Sequence, residues 1–378
     1  MQRVTSSNPR LLARFKSWVH AHPARTIIVI ILGLIIAINL TVLALFWRQP
    51  EPEVKAVKKA PVVIEEPEPV FYAPLTGNQI ESELDKSKPV TAIMIENSPD
   101  ARPQSGLKDA EVVYEAVAEG GITRFLAVYQ QNKPSLIGPV RSLRMYFLDW
   151  ATPYDASIAH VGGSYQSLLK VRNGQYRDID QFFNTAAYWR SADRYAPHNV
   201  YTSFAKLDQL NSQKGYTSSN PTGLERIEED QPAATQGSNT DEEASVVEPA
   251  KKIDINISGP TYNSSYSYDE KTKQYARFQA GAPHTDREKG QITADVVIAL
   301  RVTMTQVFED GYRESIPTTG KGDAVIFQNG TAQKVSWRKD SQQGQLYFTD
   351  SEDKRILLQP GTTWISAVPI SGGSVSWQ

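Results

Sequence analysis

Residues Glu111–Gln130 read EVVYEAVAEGGITRFLAVYQ. Two runs rich in β-branched and aromatic residues, EVVYEAVA (Glu111–Ala118) and ITRFLAVYQ (Ile122–Gln130), flank Glu119-Gly120-Gly121. Such residues suit a pleated, packed surface, and the Gly pair is a hairpin signal. The stretch therefore predicts two antiparallel strands. Working outward, TAIMIEN (Thr91–Asn97) predicts a strand upstream. Downstream, Ile137-Gly138-Pro139 precedes a helical run from Ser142 to about Ala151, and ASIAHV (Ala156–Val161) is strand-like. Gly162-Gly163 and a helix opening at Ser164 follow, then a last helix through FAKLDQL with Thr202 as its N-cap. Strands interleaved with helices over residues 71–216 imply a mixed-sheet α/β domain.

Residues 253–378 differ. ADVVIALRVTMTQVF, DAVIFQNG, KVSWRK, QLYFTD, RILLQPG and TWISAVP are short apolar runs divided by Gly, Asn, Asp and Pro. That spacing predicts an all-β domain, a sandwich or a barrel. Between the two, residues 217–252 are acidic and poor in aromatics, too polar to offset their ordering entropy, and read as a disordered linker. The expected fold class is α+β, a mixed-sheet α/β first domain followed by an all-β second domain, with one N-terminal transmembrane helix.

Thr26 to Trp47 is uncharged and long enough to span a bilayer core as a helix. Arg3, Arg10, Arg14, Lys16 and Arg25 precede it with no acidic residue among them. The positive-inside rule then keeps residues 1–25 cytoplasmic and sends the rest across, giving a single-pass cell-membrane protein with extracytoplasmic domains. A cleaved signal peptide fits less well. Its apolar region normally runs about 7–15 residues, and no small-x-small site follows here. Residues 48–70, rich in Pro and charge, read as an extended spacer.

Among 378 residues, 40% are hydrophobic and 22% charged, so a globular core is expected. The formal net charge of -2 gives no global pull toward nucleic acid, and no nucleic-acid partner is expected. There is no cysteine, which removes disulfides, thiolate ligands, thiol nucleophiles and lipidation through cysteine.

The runs PLTG (Pro74–Gly77), ARPQSGL (Ala101–Leu107), VYEAVAEGGITRF (Val113–Phe125), IGPVRS (Ile137–Ser142), HVGGS (His160–Ser164) and APHNVYTS (Ala196–Ser203) resemble the YerB-like bacterial family. YSYDEKTKQYAR, PHTDR and PGTTWISAVP extend the resemblance over nearly the whole chain beyond the spacer. It implies that family's successive N-terminal and C-terminal domains, and no activity, because the family is a domain of unknown function. Lipoprotein members carry an N-terminal lipid-bearing cysteine; here a transmembrane helix stands in its place. Where the family pattern suggests RSARPYF, this chain has RSLRMYF, keeping Arg141 and Arg144.

No phosphate loop, HExxH, EF-hand loop or GxSxG elbow is present, and no cofactor or metal is expected. His160-Val161-Gly162-Gly163-Ser164 follows a strand and opens a helix, so free amides and the positive helix end there could hold an anion; a plain tight turn with a cap is the alternative. Arg141 and Arg144 sit at a helix start against the macrodipole, which suggests a bound anion or an ion pair to Glu115 or Glu119. Glu115 and Glu119, about 13 Å apart on a straight strand, cannot form a glycosidase pair unless the turn folds Glu119 back; Asp149 or Asp155 could partner one of them. His198, in a polar loop with Asn199, is an acid/base candidate. His284 and Asp286 suggest a turn.

The expected function is a membrane-anchored envelope protein binding an anionic glycan or cell-wall polymer through Arg124, Arg141, Arg144, His160, Gly162, Gly163, Ser164 and Asn199. The alternatives are an enzyme on that polymer, with Glu115 or His198 as acid/base, and a scaffold for envelope-synthesis or division proteins. In the scaffold reading, edge strands of the second domain recruit partners by strand addition.

Overall fold

The computed structural model describes residues 9–47, 69–228, 247–307 and 313–378. The chain divides into two compact units, Met1–Pro67 and Glu68–Gln378. The first contains helices α1 (Pro9–Ala21) and α2 (Pro23–Phe46). Helix α2 has a mean hydropathy of 3.0 over its most apolar stretch and buries none of its 24 residues within the protein. At 1.5 Å per residue it spans about 36 Å, enough for a bilayer core of about 30 Å. Its few polar side chains bond back along the helix: Asn39 Nδ2 donates to the Ile35 carbonyl at 2.8 Å, and Thr41 Oγ1 to that of Ala37 at 2.6 Å. A polar group satisfied in this way tolerates an apolar surround. Residues 48–68 of the expected spacer lie outside the described residues.

In the second unit, a long-range strand pairing makes one sheet of what composition divides into two domains. Fourteen strands matter for the argument: β1 (Thr91–Glu96), β2 (Val112–Glu119), β3 (Ile122–Tyr129), β4 (Ser157–His160), β5 (Arg177–Asp180), β6 (Val247–Pro249), β7 (Lys252–Asn256), β8 (Ser264–Asp269), β9 (Gln274–Gln279), β10 (Val296–Val302), β11 (Gly320–Gln328), β12 (Thr331–Lys339), β13 (Thr363–Pro369) and β14 (Ser374–Trp377). The main sheet runs β6-β12-β11-β10-β13-β2-β3-β1-β4-β5. Its seam is the parallel pairing of β13 with β2, from Thr363↔Val112 to Ser366↔Glu115. Strand β13 also pairs in parallel with β10. A smaller sheet, ordered β9-β8-β7-β14 along its centre, covers part of one face.

The central strands are buried on both faces, which explains why their sequences are continuous apolar runs. Alternate residues feed two cores. Met94, Tyr114, Leu126, Ile298 and Ile365 join helix α3 (Met145–Ala151) on one side. Ile93, Val113, Phe125, Val297 and Trp364 join helix α5 (Phe204–Gln213) and the small sheet on the other. The hairpin at Gly120 (φ 56°) and Gly121 (φ 79°) has positive φ at both central positions, as the sequence requires.

Three expectations need correction. The last helix is capped by Ser203, whose side chain accepts from the Lys206 amide, rather than by Thr202. The helix expected from Ser142 begins at Met145, because residues 140–143 pair across the sheet end instead. The ends of the expected linker, residues 217–228 and 247–252, are built into the body. Leu224 is buried, Arg226 donates to the carbonyls of Leu75 and Gln359, and Val247–Pro249 pairs with β12. The rest of that segment, residues 229–246, lies outside the described residues.

Candidate functional site

Strands β1, β4 and β5 run parallel, and their carboxyl ends bring Glu96, His160 and Asp180 to one rim of the sheet. An extended segment crosses this rim. Ile95 bridges Val140, the Arg141 amide donates to the Met94 carbonyl at 2.8 Å, and Leu143 bridges Gly163. A short hairpin, Tyr188–Arg190 with Val200–Thr202, carries the loop that delivers His198 to the same rim. Crevices at strand carboxyl ends are where α/β sheets collect ligands.

Glu96 is the hub. Its carboxylate is 3% exposed, with Oε2 lying 3.0 Å from His198 Nδ1 and 3.1 Å from Arg141 Nε. The Arg141 contact is an ion pair without hydrogen-bond alignment. Ser98 Oγ donates to Glu96 Oε1 at 3.0 Å and lies 3.1 Å from His198 Nδ1. His198 therefore points Nδ1 inward, while Nε2 faces outward, 4.0 Å from Asp100 Oδ2. Burial pulls the Arg141 guanidinium below its usual value, partly offset by Glu96.

Outside this hub lies a cleft of about 640 Å³ lined by Asp100, Asp193, Arg194, Tyr195, His198 and Arg287, among others. Both sequence segments contribute to it. Arg194 donates to the carbonyls of Asp100, Arg102 (3.3 Å) and Pro103 (2.6 Å), and its Nε is buried with no partner. Arg194 is fixed in place and makes no ion pair among the described residues, with the exposed carboxylates of Asp100 and Asp193 lining the same cleft. Arg287 pairs with Asp193 at 3.0 Å, an exposed contact, and Tyr195 is 93% exposed.

The structure distributes the other expected residues differently. Arg144 is buried, with Nε 3.0 Å from Glu119 Oε2, Nη2 on the same oxygen, and Nη1 on the Leu143 carbonyl at 2.7 Å. Arg124 reaches Glu119 Oε1 at 3.0 Å and the Ser142 carbonyl at 2.8 Å. Burial raises the Glu119 pKa, but the charges and hydrogen bonds of Arg124 and Arg144 outweigh it and bring it to about 2. The arginines are thus engaged by a carboxylate, not held open.

His160 is fully buried, its Nε2 3.0 Å from Asp178 and its Nδ1 2.7 Å from the Gly162 carbonyl. Two amides of the turn are occupied: Gly162 donates to Asp180 at 3.0 Å and Ser164 to the Leu143 carbonyl at 3.1 Å. Ser164 does cap helix α4 (Tyr165–Val171), as expected, and Gly163 only permits close packing on Leu143. Asn199 braces its own loop, accepting from Arg190 and donating to the carbonyls of Ser191 and Arg194.

Glu115 cannot reach solvent. It accepts from Arg277 Nη2 at 2.7 Å, Thr123 Oγ1 at 2.9 Å and Asn97 Nδ2 at 3.3 Å, all buried. Asp149 and Asp155 are taken by Lys170 and Arg177. His284 lies in the same buried network as Arg277, not in an exposed turn. Among the described residues, no cluster of three or more His, Asp or Glu suits a metal ion.

The DUF3048 N-terminal domain profile matches residues 75–217, and the C-terminal domain profile matches residues 253–365. Over 308 residues the chain is 32% identical to "Putative lipoprotein YerB" of Bacillus subtilis (strain 168), covering 80% of this chain and 88% of that one. This chain belongs to the DUF3048 family. The crystal structure of the B. subtilis YerB protein superposes on the DUF3048 chain with a TM-score of 0.70 at 28% identity, covering 81% of this chain and 99% of that one. Both family domains therefore fall inside the one compact body, and Arg287 brings the second of them to the cleft wall. Of the site residues that sequence reasoning missed, Glu96 carried a signal: it is the only charge in the buried run TAIMIE and stands at its carboxyl end. Arg194 carried none, because its importance depends on carbonyls from a distant loop.

Proposed function

We propose that this DUF3048 protein is a membrane-anchored envelope protein, with its body outside the cytoplasm, that binds an anionic glycan or cell-wall polymer in the cleft at the sheet rim. The observation that carries the binding reading is Arg194: a cation locked by three carbonyls at a cleft wall, with a buried unpartnered Nε and no ion pair among the described residues. Fixed cations in a concave site attract anions and bind them without further ordering cost. The envelope reading is supported by the arginine-rich start ahead of α2 and by a relative named as a lipoprotein. Protease added outside intact spheroplasts is expected to digest the body; protection of residues 69–378 would refute the orientation.

His198 favours a second reading on the same ligand. Ser98 gives its own proton to Glu96, so His198 Nδ1–H donates to Ser98 Oγ, and the Nε2 lone pair faces the cleft and can accept a proton. Ser98 is no histidine-activated nucleophile in this arrangement, since its hydroxyl proton goes to Glu96 while its oxygen accepts from His198 Nδ1. Co-sedimentation of residues 69–378 with purified anionic wall polymer tests both readings. Arg194→Gln is expected to weaken binding by about tenfold or more, the size of a charge-assisted hydrogen bond, with the loss shrinking at high salt. Equal binding by the variant would sink the site. Soluble fragments released by the wild type but not by His198→Ala would establish the catalytic reading.

A further inference from the structure

Strand β14 ends the smaller sheet, and its outer edge has no partner among the described residues. Lys252 and Gln378 exchange two backbone hydrogen bonds, at 2.9 and 3.0 Å. In an antiparallel ladder bonded and non-bonded pairs alternate. The bonded pairs are therefore Asp254–Ser376 and Asn256–Ser374, so the peptide groups of Val375 and Trp377 face outward. Their side chains pack inward, Trp377 against Phe327 with ring centroids 5.5 Å apart.

That open edge forms one wall of a groove of about 520 Å³, opposite the side chains of Val325 and Val335 on β11 and β12. Arg301 also lines the groove. Its Nη2 donates to the Ile370 carbonyl at 3.1 Å, while its Nη1 is buried without a partner and no carboxylate pairs with it among the described residues. Asp323 and Lys334 line the groove as well, Lys334 paired with Glu248, so the groove sets outward peptide groups against Val325 and Val335 with charged side chains at its margin. Only another extended backbone can match the spacing of the outward N–H and C=O groups. The guanidinium adds a requirement for a carboxylate.

We infer that this groove receives an extended segment of a partner protein, added as a strand to Val375–Trp377, with an acidic side chain meeting Arg301. The test is selection of a random peptide display library on the full-length protein in nanodiscs. Val375→Pro removes an outward N–H that takes no part in the pairing with β7, and edge strands tolerate proline. Selected peptides are expected to alternate β-branched or aromatic residues, to carry an acidic residue, and to bind Val375→Pro and Arg301→Gln at least about tenfold more weakly. Both variants should keep the wild-type melting temperature, and the second preserves the test if the first unfolds. Peptides that bind both variants as tightly as the wild type would overturn the inference, as would failure to enrich any extended sequence. A wild-type dimer by sedimentation that becomes monomeric in Val375→Pro would also overturn it, assigning the edge to a second copy of this chain.

Discussion

Arg277→Met is expected to lower the stability of the body by about 3–5 kcal/mol, the usual cost of stripping one partner from a buried ion pair. Arg277 is fully buried, its guanidinium centred 4.4 Å over the Trp364 ring. It donates to Glu115, to the Tyr266 hydroxyl and, through Nε, to His284 Nδ1 at 3.0 Å. Arginine has no acceptor, so Nδ1 must accept and His284 Nε2 must carry the proton. That proton goes to Gln104 Oε1 at 3.0 Å, Gln104 donates to Asn97 Oδ1 at 3.2 Å, and Asn97 donates back to Glu115. The network closes with a consistent direction at every bond. It ties Glu115, Asn97 and Gln104 of the first segment to Tyr266, Arg277 and His284 of the second. Removing Arg277 leaves the buried Glu115 carboxylate with only the neutral Thr123 and Asn97 as direct partners and the charge of Arg102 beyond them. Adding Glu115→Gln is expected to recover a large part of the loss, because the orphaned charge disappears with it. Urea unfolding of the two single variants and the double variant measures this coupling. A loss below about 1 kcal/mol for Arg277→Met would show that the network is not the lock joining the two segments.

Acid is expected to destabilise the body in two windows, and Arg144→Ala to cost about 2–3 kcal/mol at neutral pH. Glu119 falls from 4.5 unfolded to about 2 folded. A depressed carboxylate contributes stability that is fully present above the unfolded value and lost as pH drops toward the folded one. The ceiling is about 3 kcal/mol at 1.36 per unit, reduced to roughly 2 by water around the exposed part of the side chain. His284 adds a second window. Burial, with the Arg277 and Arg102 charges, holds its pKa well below the usual 6.5. The unfolded chain takes up that proton first, so stability also declines as pH falls below about 6.5. Chemical unfolding followed from pH 7 to pH 3 should show both windows, and Glu119→Gln should flatten only the lower one. A variant as acid-sensitive as the wild type below pH 4.5 would remove Glu119 from the account. Arg144→Ala with an unchanged melting temperature would return Arg144 to the ligand-facing role that its position suggests.

Local pattern carried far in this chain. The uncharged run from Thr26 to Trp47 made a membrane-length helix because length and hydropathy are additive along a segment. Glu119-Gly120-Gly121 made the hairpin because positive φ at two successive positions is a local steric matter. The buried strands were legible from their β-branched runs, and Ser164 as a cap from its place before a helix. His198 was legible as a polar-loop histidine, though not its partner.

What only the tertiary structure decided is who meets whom. Glu115 and Arg277 lie 162 residues apart and touch because β13 pairs in parallel with β2 at one particular register. The β-branched runs of β10, β13 and β2 would pack equally well in other orders, so no local pattern states that the two segments share a sheet. The amides of Gly162 and Ser164 would be free in an isolated turn, yet Asp180 from the neighbouring strand and the Leu143 carbonyl from the crossing segment reach them. Arg194 becomes a fixed cation only because the carbonyls of Asp100, Arg102 and Pro103 converge on it across more than ninety residues of chain. Secondary structure follows from short-range sterics and burial periodicity. The pairing of charges follows from long-range register, which a linear sequence encodes only through the whole core.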